Sequence, residues 1–180
     1  YLVIVGDVKA KSVKKLVKSL FSKWESGTLE SFDYPTVKNA KTTEVNLIDM
    51  PNAVQSELAI TSTFDLKRND DDYFALLVAN EILGGGFNSY INMNLREAHG
   101  WTYGARSAVR PDKYIGRFKA STSVRNAVTD SAVVETMKEI QRIKTELVDE
   151  NDLKNIKAKY SGNFVMALEK PSIIARYALR

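Results

Sequence analysis

A predicted β-hairpin between residues 102 and 124 constrains the fold more than any other segment of the sequence. Thr102 to Val109 and Tyr114 to Val124 have the composition of strands, and Arg110-Pro111-Asp112-Lys113 joins them with proline where a type I turn accepts it. Along the second strand, small or apolar residues alternate with polar or basic ones: Gly116, Phe118, Ala120, Thr122 and Val124 against Arg117, Lys119, Ser121, Ser123 and Arg125. This alternation predicts a sheet with one face against helices and the other exposed to water.

Further strands and several helices are predicted from the spacing of apolar residues. The strands are residues 1–8, 43–50 and 54–64, and the helices fall at 13–24 (with Ser12 as N-cap), 73–82, 88–95, 133–147, 153–168 and from Ser172 onward. Residues 26–43 are polar and are predicted to be a connecting arm. The order of these elements predicts an α+β fold with a mainly antiparallel sheet and helices packed on one face.

The residue types that the chain lacks limit its chemistry. Its 180 residues include no cysteine and one histidine, His99. Because a zinc site generally needs two or three imidazole or thiolate ligands, we expect no metal in this chain and no catalytic duty for His99. No apolar run is long enough to span a membrane. Tyr1 opens directly into an apolar segment, which predicts that residues 1–180 are one domain excerpted from a longer chain.

The segment from residue 82 to residue 107 is the most unusual in the sequence. It contains the run Gly84-Gly85-Gly86 between two predicted helices. Glycine loses more backbone entropy on folding than other residues, so such a run suits a position where φ is positive or where another backbone approaches closely. On glycine content alone, a helix end followed by a sharp turn is the favoured explanation. A phosphate-binding loop is excluded, since the run follows a helix and lacks the Lys-Ser/Thr ending.

Arg96 and Tyr103 stand on either side of Gly100 in the same segment. A guanidinium and a phenol projected from such a helix–strand corner are both hydrogen-bond donors, suited to peptide carbonyls or to a developing oxyanion. Taken singly, Arg96 also fits a salt bridge with a neighbouring acid, and Tyr103 a half-buried aromatic of the sheet.

The chain resembles the non-zinc-binding, C-terminal type of domain in the pitrilysin/insulinase family of zinc peptidases, which includes mitochondrial processing peptidase and bacterial relatives. The resemblance covers nearly the whole chain, and an ordered series of segments carries it: VIVGDV with a helix ending in FSKW, LIDMPNAVQSELAI, DDDYFALLVANEILGGGF and NLREAHGWTYGARS. Where family sequences commonly read S-R-L after the glycines, this chain has Ser89-Tyr90-Ile91, a change that bears on domain contacts or substrate choice.

The resemblance implies a processing-peptidase-like fold and a role in peptide hydrolysis. Arg96 would hold the main chain of an extended peptide, Tyr103 would stabilise the tetrahedral intermediate, and Gly84, Gly85 and Gly86 would complete the substrate-binding set. Zinc and its H-x-x-E-H motif would belong to an N-terminal-type partner domain or subunit, within a homo- or hetero-oligomer of the full-length protein. This chain alone is then expected to be inactive, and its compartment stays open between bacterial periplasm and cytoplasm.

Two alternatives remain at this point. The same fold also serves as a non-enzymatic structural or partner subunit, as in the core proteins of respiratory complexes. A nucleic-acid-binding α+β domain would use Arg117, Lys119 and Arg125, which the alternation places on one face. The exposed neighbours of these three cations are serines, whereas sheets that read RNA carry aromatic side chains for base stacking, so we expect no nucleic-acid partner.

Overall fold

The computed structural model describes residues 1–32, 34, 37–112 and 114–179. These residues form two compact units. The larger unit is Tyr34–Lys157, and the smaller consists of Tyr1–Asp33 and Ala158–Arg180. The predicted sheet and the segment with the candidate site residues belong to the larger unit.

The larger unit contains a three-stranded sheet. Its strands are β1 Gln55–Phe64, β2 Ala105–Pro111 and β3 Gly116–Arg125, in the order β1-β3-β2 with both pairs antiparallel. The register aligns Ala105 and Leu58 with Thr122 of the central strand. The predicted hairpin and the predicted α+β class are both confirmed.

The helices among the described residues have these bounds: α1 Ala10–Phe21, α2 Tyr73–Asn80, α3 Tyr90–Asn92, α4 Thr129–Thr145, α5 Glu150–Ala167 and α6 Pro171–Ala178. Two π-helical segments continue α2 and α3, namely Glu81–Gly85 and Met93–Ala98, and the short 3₁₀ turn Asn126–Val128 precedes α4. No helix in the described part of the chain is both long and apolar enough to cross a bilayer.

The core of the larger unit lies between one face of the sheet and α3, α4 and the two π-helical segments. Its buried members are Leu83, Ile91, Leu95, Ala105, Ala120, Val124 and Ala132. The buried residues of β3 are Gly116, Ala120, Thr122 and Val124, whereas Arg117, Lys119 and Arg125 are exposed. The prediction of one packed and one wet face is confirmed.

The apolar spacing within 133–147 predicts a buried stripe of Val133, Met137, Ile140 and Leu147, and of these four Ile140 packs against the core while the other three are exposed. Val133 and Met137 are 37% and 45% exposed, and Leu147 lies beyond the end of the helix with full exposure. Ala132 and Thr136 are buried instead. Both stripes have helical spacing, so the apolar period alone does not distinguish them.

Two predicted strands are wrong. Residues 1–8 and 43–50 are extended but form no ladder with other described residues. A strand exists through hydrogen bonds to a neighbour, so apolar composition is insufficient without a paired edge. Leu47 and Ile48 are accordingly 88% and 85% exposed. Helix α1 also begins earlier than predicted, with Lys9 rather than Ser12 at its N-cap.

The hairpin turn lies two residues later than predicted. Pro111 is the last residue of β2, aligned with Gly116, and Asp112 forms the turn. The Asp112 carboxylate accepts the backbone N–H groups of Tyr114 and Ile115 at 2.7 and 2.8 Å. These two bonds, with a smaller contribution from Arg117, lower the pKa of Asp112. Lys113, the fourth residue of the predicted turn, lies outside the described residues.

The last two helices begin close to their predicted starts, α5 at Glu150 instead of 153 and α6 at Pro171 instead of Ser172. Asp149 accepts the backbone N–H groups of Asn151 and Asp152 at 2.9 and 3.2 Å and so caps the start of α5. Pro171 is the first residue of α6, where proline is well tolerated. In the smaller unit, the rings of Phe164 and Tyr177 meet edge to face with centroids 5.5 Å apart.

Candidate functional site

The glycine run ends the π-helical segment against the sheet. A Cβ on Gly84 would lie 2.4 Å from the backbone nitrogen of Ser107 in β2. Asn80 reinforces this contact, because its side chain accepts a bond from the Ser107 hydroxyl at 2.8 Å and donates to the Ser107 carbonyl at 3.3 Å. Close backbone approach is therefore the reason for a glycine at this position.

The other two glycines are more open. Gly85 is exposed and Gly86 half-buried, and a Cβ on either would meet the Glu81 carboxylate first. None of the three has a positive φ. Close backbone approach at Gly84 and a helix end at Gly86 therefore account for the run, and a positive φ does not. The chain turns back at Gly86, whose carbonyl accepts the N–H of Ser89 at 3.3 Å.

A left-handed glycine forms the corner between the second π-helical segment and β2. Gly100 has φ +62°, a conformation that costs other residues about 1–2 kcal/mol. The N–H groups of Gly100 and Trp101 donate to the carbonyls of Arg96 and Leu95, both at 3.0 Å. These bonds give the last carbonyl groups of the π-helical segment hydrogen-bond partners and direct the chain toward the strand.

Tyr103 lies on a short loop whose two neighbours are tied to the sheet. The Thr102 hydroxyl donates to the carbonyl of Gly104 at 3.0 Å and accepts its N–H at 3.1 Å. Thr122 of β3 bonds to both ends of the loop, through the Thr102 hydroxyl at 2.9 Å and the Gly104 carbonyl at 3.1 Å. The Tyr103 side chain is 94% exposed and precedes the first residue of β2. The alternative of a half-buried sheet aromatic is therefore wrong.

Arg96 lies on the second π-helical segment with its side chain 35% exposed. Its guanidinium carbon is 4.6 Å from the centroid of the Phe87 ring, and one nitrogen is 3.5 Å from the carboxylate of Glu97. The salt bridge that the sequence allows is thus present, but an exposed pair of this kind contributes only about 0.2–1 kcal/mol. Stacking on Phe87 supports the flat face of the guanidinium, while its N–H groups radiate from the edge and have donor capacity beyond Glu97.

Asn92 joins the two sides of the corner, and sequence reasoning missed it. Its amide nitrogen donates to the Phe87 carbonyl at 2.7 Å, and its amide oxygen accepts the N–H of Ala105 at 3.0 Å. The side chain is 4% exposed. The sequence carries one signal of this role, which is a polar amide between the apolar residues Ile91 and Leu95. A buried amide is hydrogen-bonded as a rule, so its presence there indicates backbone groups that need a partner.

Asn94 ties the same segment to α4. Its amide nitrogen donates to Glu139 at 2.7 Å and to Glu135 at 3.1 Å. The pKa of Glu135 is lowered, first by its bond with Lys138 and then by Asn94. The element that carries Arg96 is thus attached to both the sheet and a long helix.

Tyr90 replaces the arginine of the family pattern, and it packs against a cation from another element. The guanidinium carbon of Arg142 in α4 lies 4.1 Å from the centroid of the Tyr90 ring. Arg142 also pairs with Glu139 at 3.4 Å and Glu146 at 3.3 Å. A positive charge therefore lies over this position although the residue itself is neutral.

The described residues do not fit a zinc ion. No group of three or more histidine, aspartate or glutamate side chains lies together in the described ranges. His99 is exposed and stacks on Trp101 with ring centroids 4.1 Å apart. The chemistry available at this corner is donation of hydrogen bonds by a cation and a phenol.

Comparison with known proteins relates nearly the whole chain to one peptidase family. The sequence model of the peptidase M16 inactive domain matches residues 1–160. A curated relative, the probable inactive metalloprotease YmfF of Bacillus subtilis, is 28% identical over 157 residues. That match covers 87% of this chain and 36% of the relative, so the chain spans about a third of the relative's length.

Solved structures show the same fold. A protease from Helicobacter pylori superposes with a TM-score of 0.79 at 20% identity, over 95% of this chain and 42% of that one. A peptidase M16 inactive domain from Pseudomonas fluorescens superposes with a TM-score of 0.59 at 24% identity, over 63% of this chain and 27% of that one.

Proposed function

Because the chain belongs to the family of the peptidase M16 inactive domain, we propose that it binds substrate and completes the active site of a zinc-dependent peptidase. The family is the pitrilysin/insulinase type that the sequence motifs predict. On this proposal residues 1–180 are the C-terminal-type domain of a longer two-domain protein. The short span of the chain relative to YmfF supports that arrangement.

The observation that carries the proposal is the pair of donors at the Gly100 corner. Tyr103 extends into solvent from a loop fixed by Thr102 and Gly104, and no hydrogen bond to its phenol occurs among the described residues. Arg96 is held against Phe87 with donor capacity left over. Two donors on anchored backbone need little rearrangement to meet charge that develops on a carbonyl oxygen.

Each donor has a distinct role in the proposal. The Arg96 guanidinium binds main-chain carbonyls of an extended peptide and so positions the scissile bond. The Tyr103 hydroxyl donates to the oxygen of the tetrahedral intermediate. The N-terminal-type domain with H-x-x-E-H would hold the zinc ion, which activates water in such enzymes. Closure of the two domains on the peptide would bring these groups together.

Turnover measurements on the longer protein, or on this chain combined with its zinc-bearing partner, test the proposal. We expect Tyr103→Phe to lower kcat by about 10²–10³-fold, the usual effect of removing an oxyanion donor. We expect Arg96→Ala to raise KM by about tenfold or more, since it removes hydrogen bonds from a charged donor. Tyr177→Phe and Arg68→Ala, which remove the same groups from α6 and from an exposed loop, should leave turnover unchanged.

Two outcomes would contradict the proposal. If both corner variants keep activity within about twofold of the wild type, neither side chain has the proposed role. If the combined protein hydrolyses no peptide while the zinc-bearing partner is intact, the chain is a non-enzymatic subunit of the same fold.

A further inference from the structure

The wet face of the sheet carries a group of cations, here termed the basic face: Arg106, Arg110, Arg117, Lys119 and Arg125. All are exposed, and their strand neighbours Ala105, Ser107, Ala120 and Val124 are buried on the opposite face. Within the described ranges, no carboxylate lies within 4.0 Å of any of these cations. Glu57 of β1 is on the same face and accepts a hydrogen bond from Ser123.

The arrangement of these cations opposes folding of the isolated sheet. Arg110 and Arg117 are direct cross-strand partners, and like charges in this relation are destabilising. The nearest turn carboxylate, Asp112, is engaged with two backbone N–H groups. A set of cations that repel each other and form no ion pair within 4.0 Å among the described residues fits an anionic partner.

The spacing of the cations matches an extended polypeptide. Residues two apart on a strand, such as Arg117 and Lys119, are separated by about 6.8 Å, which equals the spacing of alternate side chains in an extended peptide. From Arg117 to Arg125 the face extends about 27 Å along β3, enough for roughly eight peptide residues. An extended segment with acidic residues at alternate positions would therefore meet several cations at once.

We propose that the basic face binds an acidic, extended segment of the polypeptide substrate. The inference rests on the proposed function, which makes a peptide the ligand, and it adds the chemical class of that peptide. It concerns a surface different from the corner of Arg96 and Tyr103, so each can be tested alone.

The composition of the basic face favours a polypeptide over a nucleic acid. The outward positions between the cations hold small or hydroxyl side chains, among them Ala59, Thr61, Ala108 and Ser121. No outward position of the three strands is aromatic, and Phe118 faces the core side. Single-stranded nucleic acids are bound mainly through stacking of bases on aromatic rings together with phosphate contacts. This face offers cations for phosphate contacts but no aromatic ring for stacking.

The test is equilibrium binding of labelled peptides to the intact chain. The probes are a ten-residue Glu-Ser alternating peptide, its Lys-Ser counterpart and a ten-nucleotide single-stranded RNA. The variant Arg117→Gln/Lys119→Gln removes two charges from the basic face. Its matched control, Lys144→Gln/Lys154→Gln, removes two exposed charges from α4 and α5.

We expect the acidic peptide to bind in preference to the basic one, with affinity falling as salt rises. The basic-face variant should weaken binding by about tenfold, the effect of losing two exposed ion pairs, while the control stays at the wild-type value. Circular dichroism of each variant verifies that it is folded.

Three results would overturn the inference: equal affinity for the wild type and the basic-face variant, an equal loss in the control, or tighter binding of RNA than of the acidic peptide. Arg96→Ala/Tyr103→Phe separates this inference from the proposed function. A corner variant that keeps full turnover while the basic-face variant loses peptide affinity refutes the corner roles and supports the basic face. If the corner variant loses turnover while the basic-face variant keeps its peptide affinity, the basic face is refuted and the corner roles stand.

Discussion

Replacement of Gly84 by alanine tests whether the glycine run is explained by packing. The added Cβ would lie 2.4 Å from the backbone nitrogen of Ser107, 2.5 Å from its Oγ and 2.8 Å from its Cβ. Carbon atoms in contact normally lie about 3.5–4.0 Å apart, so the overlap exceeds what a small adjustment relieves. Either the π-helical segment or β2 must move.

Neither element moves freely. Ser107 is held in the ladder opposite Ala120, and its carbonyl and hydroxyl bond to Asn80. Gly84 is itself buried and follows the core residue Leu83. We therefore expect a loss of about 2–3 kcal/mol in the free energy of unfolding, toward the upper end of overpacking effects. For a protein of this size, that corresponds to a fall in Tm of about 5–10 °C.

Denaturant unfolding followed by tryptophan fluorescence measures this effect, since Trp101 packs against the core of the larger unit. Gly162→Ala is the control, because a Cβ there meets no atom within 4 Å and the residue lies inside α5. Alanine should raise stability there by about 0.5–1 kcal/mol. A Gly84→Ala protein as stable as the wild type would refute the packing explanation and would leave the run to be explained by function.

Three further predictions concern the corner and the hairpin. Gly100→Ala should cost about 1–2 kcal/mol because its φ is positive, and denaturant unfolding measures the loss. Asn92→Ala should cost about 1–3 kcal/mol, since it leaves the buried N–H of Ala105 unpaired and removes the bond to the Phe87 carbonyl, and the same assay measures it. Asp112 has a lowered pKa, so the stability that its carboxylate adds is present above about pH 4 and is lost as pH falls through the folded-state pKa. The hairpin amide signals in NMR spectra should broaden or shift over that range.

Each of these predictions has an outcome that contradicts it. Wild-type stability of Gly100→Ala would mean that the corner relaxes without cost. Asn92→Asp keeps the acceptor for Ala105 but places a buried carboxylate oxygen against the Phe87 carbonyl, so it should be at least as destabilising as Asn92→Ala, and wild-type stability of either variant would contradict the proposed role of the amide. If Asp112→Ala retains the full pH dependence of the hairpin signals, another group is responsible.

The sequence predicts those parts of the fold in which local pattern and tertiary environment agree. The alternation along β3 identifies its buried and exposed faces correctly, because Ala120 and Val124 face helices while Arg117 and Lys119 face water. The extended segment 43–50 has the same apolar character, yet it forms no ladder with other described residues. Pairing depends on an available neighbouring edge, and no property of the segment itself records that.

The candidate site, like the fold, can be predicted only in part from the sequence. Arg96 and Tyr103 are proposed as site residues from their chemistry on either side of a glycine, and Gly100, whose φ the structure shows to be positive, is a residue type that allows such a turn. The residues that anchor them are harder to find, because Thr122 and Asn92 act through contacts with distant parts of the chain. A hydroxyl on a strand and an amide on a helix are common, and their partners become evident only when the strands are placed in register.

The separation of donors from metal ligands explains why a domain of this kind would depend on a partner. The corner supplies a cation and a phenol, and the basic face supplies additional positive charge, but peptide hydrolysis also requires an activated water and a general base. Two carboxylates that contact this segment are unsuited to the base's role: Glu97 pairs with Arg96, and Glu135, which accepts a bond from Asn94, has a lowered pKa that weakens it as a proton acceptor. On the proposed function, a chain with these groups would bind and polarise a peptide, and it would gain a chemical step only when a second domain delivers water that is already activated.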